Sequence, residues 1–91
     1  MRILKWTLEL VDRQTIQVPE YAQVLSVQVQ GANVSLWMHC NEAHELVDFD
    51  VAMHATGQDI PASVSDIFDY LGTVQLCDGK IVYHFYGWFA Q

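Results

Sequence analysis

The chain has 91 residues, 52% of them hydrophobic and 16% charged, with eleven acidic against four basic side chains and a formal net charge of −7. One domain over residues 1–91 is expected at this length, with a core just large enough to stand without metal or disulfide staples. The acidic field repels phosphate backbones and so excludes direct nucleic-acid binding as an expected role, while the apolar richness points to burial between subunits and a homo-oligomer.

The dominant hydrophobic period is two, which predicts a mainly β protein. Residues 3–10 alternate, with Leu4, Trp6, Leu8 and Leu10 on one face and Ile3, Lys5, Thr7 and Glu9 on the other, and Asp12-Arg13 reads as a tight connection. Residues 14–18 form a short strand that Pro19 confines to an edge or an end, because proline has no N–H for a central ladder. In residues 24–30, Leu25, Val27 and Val29 oppose Val24, Ser26, Gln28 and Gln30, and Gly31-Ala32-Asn33 supplies a turn.

Residues 34–40 and 45–53 follow, and a four-residue loop, Asn41-Glu42-Ala43-His44, would join them as a hairpin. The hydrophobic pattern selects the register that pairs Cys40 with Glu45, Met38 with Val47, Leu36 with Phe49 and Val34 with Val51, and Met53 extends this apolar face. Residues 63–71 carry Ser63 or Ser65 as a candidate N-cap and apolar Ile67, Phe68 and Leu71, which predicts a short helix or turn. Asp78-Gly79 then predicts a type I′ hairpin in which Cys77 pairs with Lys80. That register puts Val74, Leu76, Ile81, Tyr83 and Phe85 on one face, and Thr73, Gln75, Val82 and His84 on the other. About seven short strands with tight turns predict a small antiparallel β-sandwich or a partly closed barrel, its edges closed by oligomerisation.

The stretch LWMHCNEAHELVDFD, residues 36–50, concentrates groups capable of chemistry. Under the hairpin register its second face carries Trp37 opposite Asp48, with His39 diagonal to it, Asp50 and His54 further along, and His44 in the turn. A metal needs three or four converging ligands, and only His39 and Asp48 with Asp50 or His54 are in reach, so no metal or cofactor is expected. Acid–base chemistry by His39, Asp48 and His54 is the catalytic alternative, but no nucleophile or oxyanion turn accompanies them. An exposed tryptophan beside a histidine suits a contact surface better. Trp88 and Phe89 near the C-terminus form a second aromatic group, expected in subunit packing.

Cys40 and Cys77 are far apart and form no C-x-x-C pair, so they read as two buried thiols in a reducing cytoplasm. The N-terminus lacks a signal-peptide apolar region, and no run of about 18 apolar residues occurs, so a soluble cytoplasmic protein without a membrane partner is expected.

The segments ILKWTLELVDRQTIQVP, AQVLSVQVQ, VSLWMHC, ATGQDI and YLGTVQLCDGKIVYHF resemble, in order, a family of small uncharacterised proteins of tailed phages, prophages and bacteria. That family shows an I-L-K-[YW] start, Q-T-I…P, [IV]-L-S-V-Q-x-Q, L-W, G-T-G-H-x-I, Y-[IL]-G-T-[VF]-Q and [WY]-H-x-F. Here Ala55-Thr56-Gly57-Gln58 stands in place of G-T-G-H, so a role for the family's histidine does not carry over, although Gly57 still allows a positive φ.

The resemblance implies a phage or prophage accessory protein in the host cytoplasm that inhibits a bacterial defence system by binding, either blocking a protein effector or sequestering a nucleotide signal. For the nucleotide, only Arg2, Lys5, Arg13 and Lys80 offer cationic donors. A minor structural or assembly protein of the virion is the alternative, and an enzyme built on His39, Asp48 and His54 is a third.

Overall fold

The two-residue alternation resolves into seven strands and one short helix in the computed structural model, which describes residues 1–90. They are β1 (Arg2–Leu8), β2 (Arg13–Pro19), β3 (Gln23–Gln30), β4 (Asn33–Cys40), β5 (Leu46–Ala55), α1 (Ala62–Ser65), β6 (Asp69–Leu76) and β7 (Ile81–Phe89). All pairings are antiparallel, in two sheets ordered β1-β4-β3 and β2-β5-β7-β6 that face each other as a sandwich and do not close into a barrel. No helix among the described residues is long and apolar enough to cross a membrane.

The core lies between the sheets. Val34, Leu36, Met38 and Cys40 of β4 face Phe49, Val51 and Met53 of β5, joined by Val18, Val27, Val74 and Phe85. The inward residues of β4 and β5 are therefore those that the alternation selects. Their pairing is not: the expected hairpin of residues 34–40 with 45–53 does not form. Both edges of β4 are occupied, with Met38 opposite Leu4 on one side and Val24 on the other, and residues 41–45 carry the chain across to the second sheet. Two apolar faces that meet from opposite sheets produce the same sequence pattern as one face of a hairpin, so period alone does not distinguish them.

Three smaller expectations are also corrected. The first strand ends at Leu8 rather than Leu10, and Leu10 is exposed where the chain turns toward the other sheet. In β3 the register passes from Val24↔Met38 to Ser26↔Trp37, so Leu25 is an extra residue. This bulge brings Val24 inward beside Val27 and leaves Leu25 exposed, reversing their expected faces. The helix spans Ala62–Ser65 rather than the expected 63–71; Pro61, not Ser63 or Ser65, is its N-cap, without a side-chain capping bond, and residues from Asp69 onward already belong to β6.

The last hairpin keeps its expected register, Leu76↔Ile81 and Thr73↔His84. Its turn has positive φ at Asp78 and Gly79, closed by the Lys80 N–H on the Cys77 carbonyl at 3.1 Å. Pro19 ends an edge strand, as its missing donor requires.

Side chains bridge the open flanks of the sandwich. Between β1 and β2, the Trp6 indole donates to the Gln17 carbonyl at 3.1 Å, and the Gln14 amide both accepts from the Glu9 N–H and donates to the Glu9 carbonyl. On the other flank β6 packs against β3, with Gly72 beside Val27.

Candidate functional site

The six candidate residues divide between the two sheets. Trp37 and His39 project from the β1-β4-β3 sheet, because their neighbours Leu36, Met38 and Cys40 point into the core. Trp37 is central, flanked by Lys5 and Ser26, while His39 lies between Ile3 and Gln23. The Lys5 ammonium sits 5.5 Å from the centre of the Trp37 ring and donates to Gln30 Oε1 at 2.6 Å. Ile3 and Leu25 are 60% and 53% exposed on the flanking strands, so apolar side chains stand on this face beside the polar flanks of the half-buried indole.

Asp48, Asp50, His54 and Trp88 belong to the β2-β5-β7-β6 sheet. Asp50 accepts from Thr15 Oγ1 at 2.7 Å and lies opposite Trp88, while Asp48 accepts from the Gln17 amide. These carboxylates are oriented by neighbouring donors on β2. Arg13 stacks over Phe68 at 4.8 Å, and Phe68 stacks on Trp88 with ring centres 6.3 Å apart.

His54 occupies an environment that alternation does not predict. β5 and β6 flank β7, and the connection between them, which contains α1, crosses the outer face of β7. It buries Val64 completely and leaves His54 only 8% exposed, its ring 6.2 Å from that of Tyr86 and both ring nitrogens without a hydrogen-bond partner. His84, directly opposite on β7, is fully engaged: Nδ1 meets Thr73 Oγ1 at 2.9 Å and Nε2 meets Thr56 Oγ1 at 2.8 Å. Thr73 in turn contacts the Tyr70 hydroxyl at 2.5 Å. The paired register of Thr73 and His84 was visible in the sequence; the Thr56 contact was not, because it depends on the pairing of β5 with β7.

The catalytic constellation of His39, Asp48 and His54 is not assembled, since His39 is on one outer face and both other residues belong to the second sheet. The expected Trp37–Asp48 pair fails for the same reason. Among the described residues, no group of three or more His, Cys, Asp or Glu side chains converges on a point where a metal could sit. His44 lies in the connection between the sheets, its Nδ1 3.0 Å from the Glu20 carbonyl and its ring edge-on to Tyr21.

A feature missed by sequence reasoning lies where the start of β3 meets the ends of β6 and β7. A cleft of about 310 Å³ opens there, with Phe49, Leu71 and Gly87 in its lining and Asp69, Tyr70 and Trp88 also bordering it. The Phe49 and Phe89 rings meet edge-on, 4.9 Å between centres. Phe49 occupies the place where a side chain at position 87 would go, since a Cβ added to Gly87 would lie 2.5 Å from the Phe49 ring. Only the tertiary fold brings these segments together.

The four cationic side chains are dispersed. Arg2 pairs with Glu42 at 2.9 Å, Lys5 is held by Gln30 and Trp37, Arg13 lies over Phe68, and Lys80 follows the last turn.

Residues 1–89 match the family described as "Domain of unknown function (DUF7352)", and the chain belongs to that family. No curated protein and no solved structure matches it.

Proposed function

We propose that the chain is a phage-type accessory protein that inhibits a bacterial defence system in the host cytoplasm by binding a protein effector, without catalysis. The contact surface in this reading is the outer face of the β1-β4-β3 sheet. Trp37 carries it: a half-buried indole at the centre of the face, bordered by exposed Ile3 and Leu25, has the anatomy of an interface anchor. The net charge of −7 favours an effector with a basic docking surface.

A protein target is better supported than a nucleotide. Phosphate recognition needs several donors on one point, whereas Arg2, Lys5 and Arg13 are engaged with different partners and Lys80 belongs to the hairpin at β6 and β7. Homo-oligomerisation would compete for the same apolar surface, so the subunit number is measured alongside function.

The test expresses the protein in bacterial strains that each carry one defence system and scores phage plating. Wild type is expected to relieve one system, and Trp37→Ser to lose most of that relief while keeping its native circular dichroism spectrum. Truncating an interface anchor costs about 2 kcal/mol or more, roughly 30-fold in affinity. Failure to relieve any system, or equal relief by the folded variant, would count against the reading. Sedimentation that shows a dimer dissociated by Trp37→Ser would assign the face to self-association instead.

A further inference from the structure

We infer that the cleft bordered by Asp69 and Trp88 is a second binding site, and that it receives an arginine side chain of a basic partner protein. The inference is independent of the Trp37 face, which lies on the other sheet.

At about 310 Å³ the cleft is at the small end of ligand pockets, large enough for one long side chain but not for a nucleotide with its phosphates. Phe49 and Phe89 line it from the inner face together with Leu71 and Val24, while the Tyr70 and Trp88 rings turn to the outer face of the sheet, and Asp69 is its one charged residue. Aromatic ring faces carry partial negative charge, so the wall and the carboxylate favour the same kind of occupant. An anion is repelled by both, and a neutral apolar group leaves the carboxylate without a counter-charge. No cation of the described chain forms an ion pair with Asp69.

Guanidinium fits this combination better than ammonium. It is planar and weakly hydrated, it stacks on aromatic faces, and its fork of donors matches a carboxylate while the stack is maintained. The chain contains the same arrangement just outside the cleft, where the Arg13 guanidinium lies 4.8 Å from the centre of Phe68, itself stacked on Trp88. Gly87 completes the site because its missing side chain admits the Phe49 ring against β7. The overall charge of −7 favours a basic macromolecular source for the arginine.

The test titrates isotopically labelled full-length protein with acetyl-Gly-Arg-Gly-amide, and separately with the citrulline peptide, which keeps the shape but not the charge. Saturable shifts at the Asp69 and Gly87 amides and the Trp88 indole are expected for the arginine peptide, with a dissociation constant of about 1 mM for a single side chain. Citrulline should bind about tenfold more weakly or not at all, and Asp69→Asn should reduce arginine binding to that level. Asp78→Asn, which makes the same charge change in the turn at the far end of β6, should leave it intact, since asparagine tolerates the positive φ there. Equal response to both peptides, no saturable shift, or equal weakening by both variants would overturn the inference. Because no effector is present, failure here is distinguishable from failure of the plating test.

Discussion

The indole N–H of Trp6 donates to the backbone carbonyl of Gln17 at 3.1 Å, so a side chain of one sheet satisfies an acceptor on the edge strand of the other. Edge strands carry unpaired backbone groups that invite pairing with other chains, and the Gln14–Glu9 bonds protect the same flank. Trp6→Phe retains an aromatic ring but removes the donor. It should cost about 1 kcal/mol, the net worth of one such bond, and lower the melting midpoint by about 4–8 °C for a domain of this size. An unchanged thermal melt would mean that water replaces the indole at no cost.

A stronger effect is expected where Gly87 meets Phe49. A methyl at position 87 would lie 2.5 Å from the Phe49 ring and 2.9 Å from Leu71, closer than packed atoms approach. Gly87→Ala should destabilise the protein by about 1–3 kcal/mol, the usual range for overpacking. Combining it with Phe49→Leu should recover part of that loss, because the smaller side chain vacates the contested space. Urea unfolding of both single variants and the double variant measures the coupling, and strict additivity would show that the two positions do not contend for one volume.

The extent to which this structure could be read in advance follows from what alternation reports. It identifies which side chains leave the backbone on the same side, so Met38, Cys40, Phe49 and Val51 were recognisable as core, and Asp78-Gly79 set the last register by turn chemistry. It does not report which strand lies alongside. Hence Trp37 and Asp48 were placed together although they occupy different sheets, and the bulge at Leu25 exchanged the faces of Val24 and Leu25. His54 followed the outward parity of Asp48 and Asp50, but the connection that leaves β5 just after it folds back over that part of the sheet, a tertiary placement that alternation does not report. The cleft at Asp69 combines residues from β3, β5, β6 and β7, so no local pattern could signal it.

The burial of His54 without a hydrogen-bond partner leads to a prediction of opposite sign from that for its neighbour. A buried donor left unpaired costs about 1–3 kcal/mol, so His54→Leu should hold stability constant or raise it, with the lost contact to Tyr86 limiting the gain. His84→Leu removes the partner of both Thr56 and Thr73 and should destabilise by about 1–3 kcal/mol. Chemical unfolding of the two variants compares them directly. A His54→Leu protein less stable than the His84→Leu protein would show that the His54 ring has a partner in solution.

The two cysteines should differ in access. Cys40 is 1% exposed on the inner face of β4, as expected, whereas Cys77, also expected to be buried, is exposed because it sits in the last turn beyond the end of β6. Cys40 ends β4 beside the start of β3, where the Asp69 end of the eight-residue strand β6 also lies, and Cys77 follows the other end. At roughly 3.3 Å per residue, that strand separates the thiols by about 25 Å, far beyond the Cα spacing that a disulfide spans. A thiol reagent should therefore modify Cys77 promptly in the folded protein and Cys40 only as the sandwich opens, at a rate that tracks unfolding. Oxidation should yield a dimer linked through Cys77, abolished by Cys77→Ser, and no internally bridged monomer. Mass spectrometry of the labelled and oxidised protein reads both outcomes, and prompt modification of Cys40 would contradict the close packing of β4 against the second sheet.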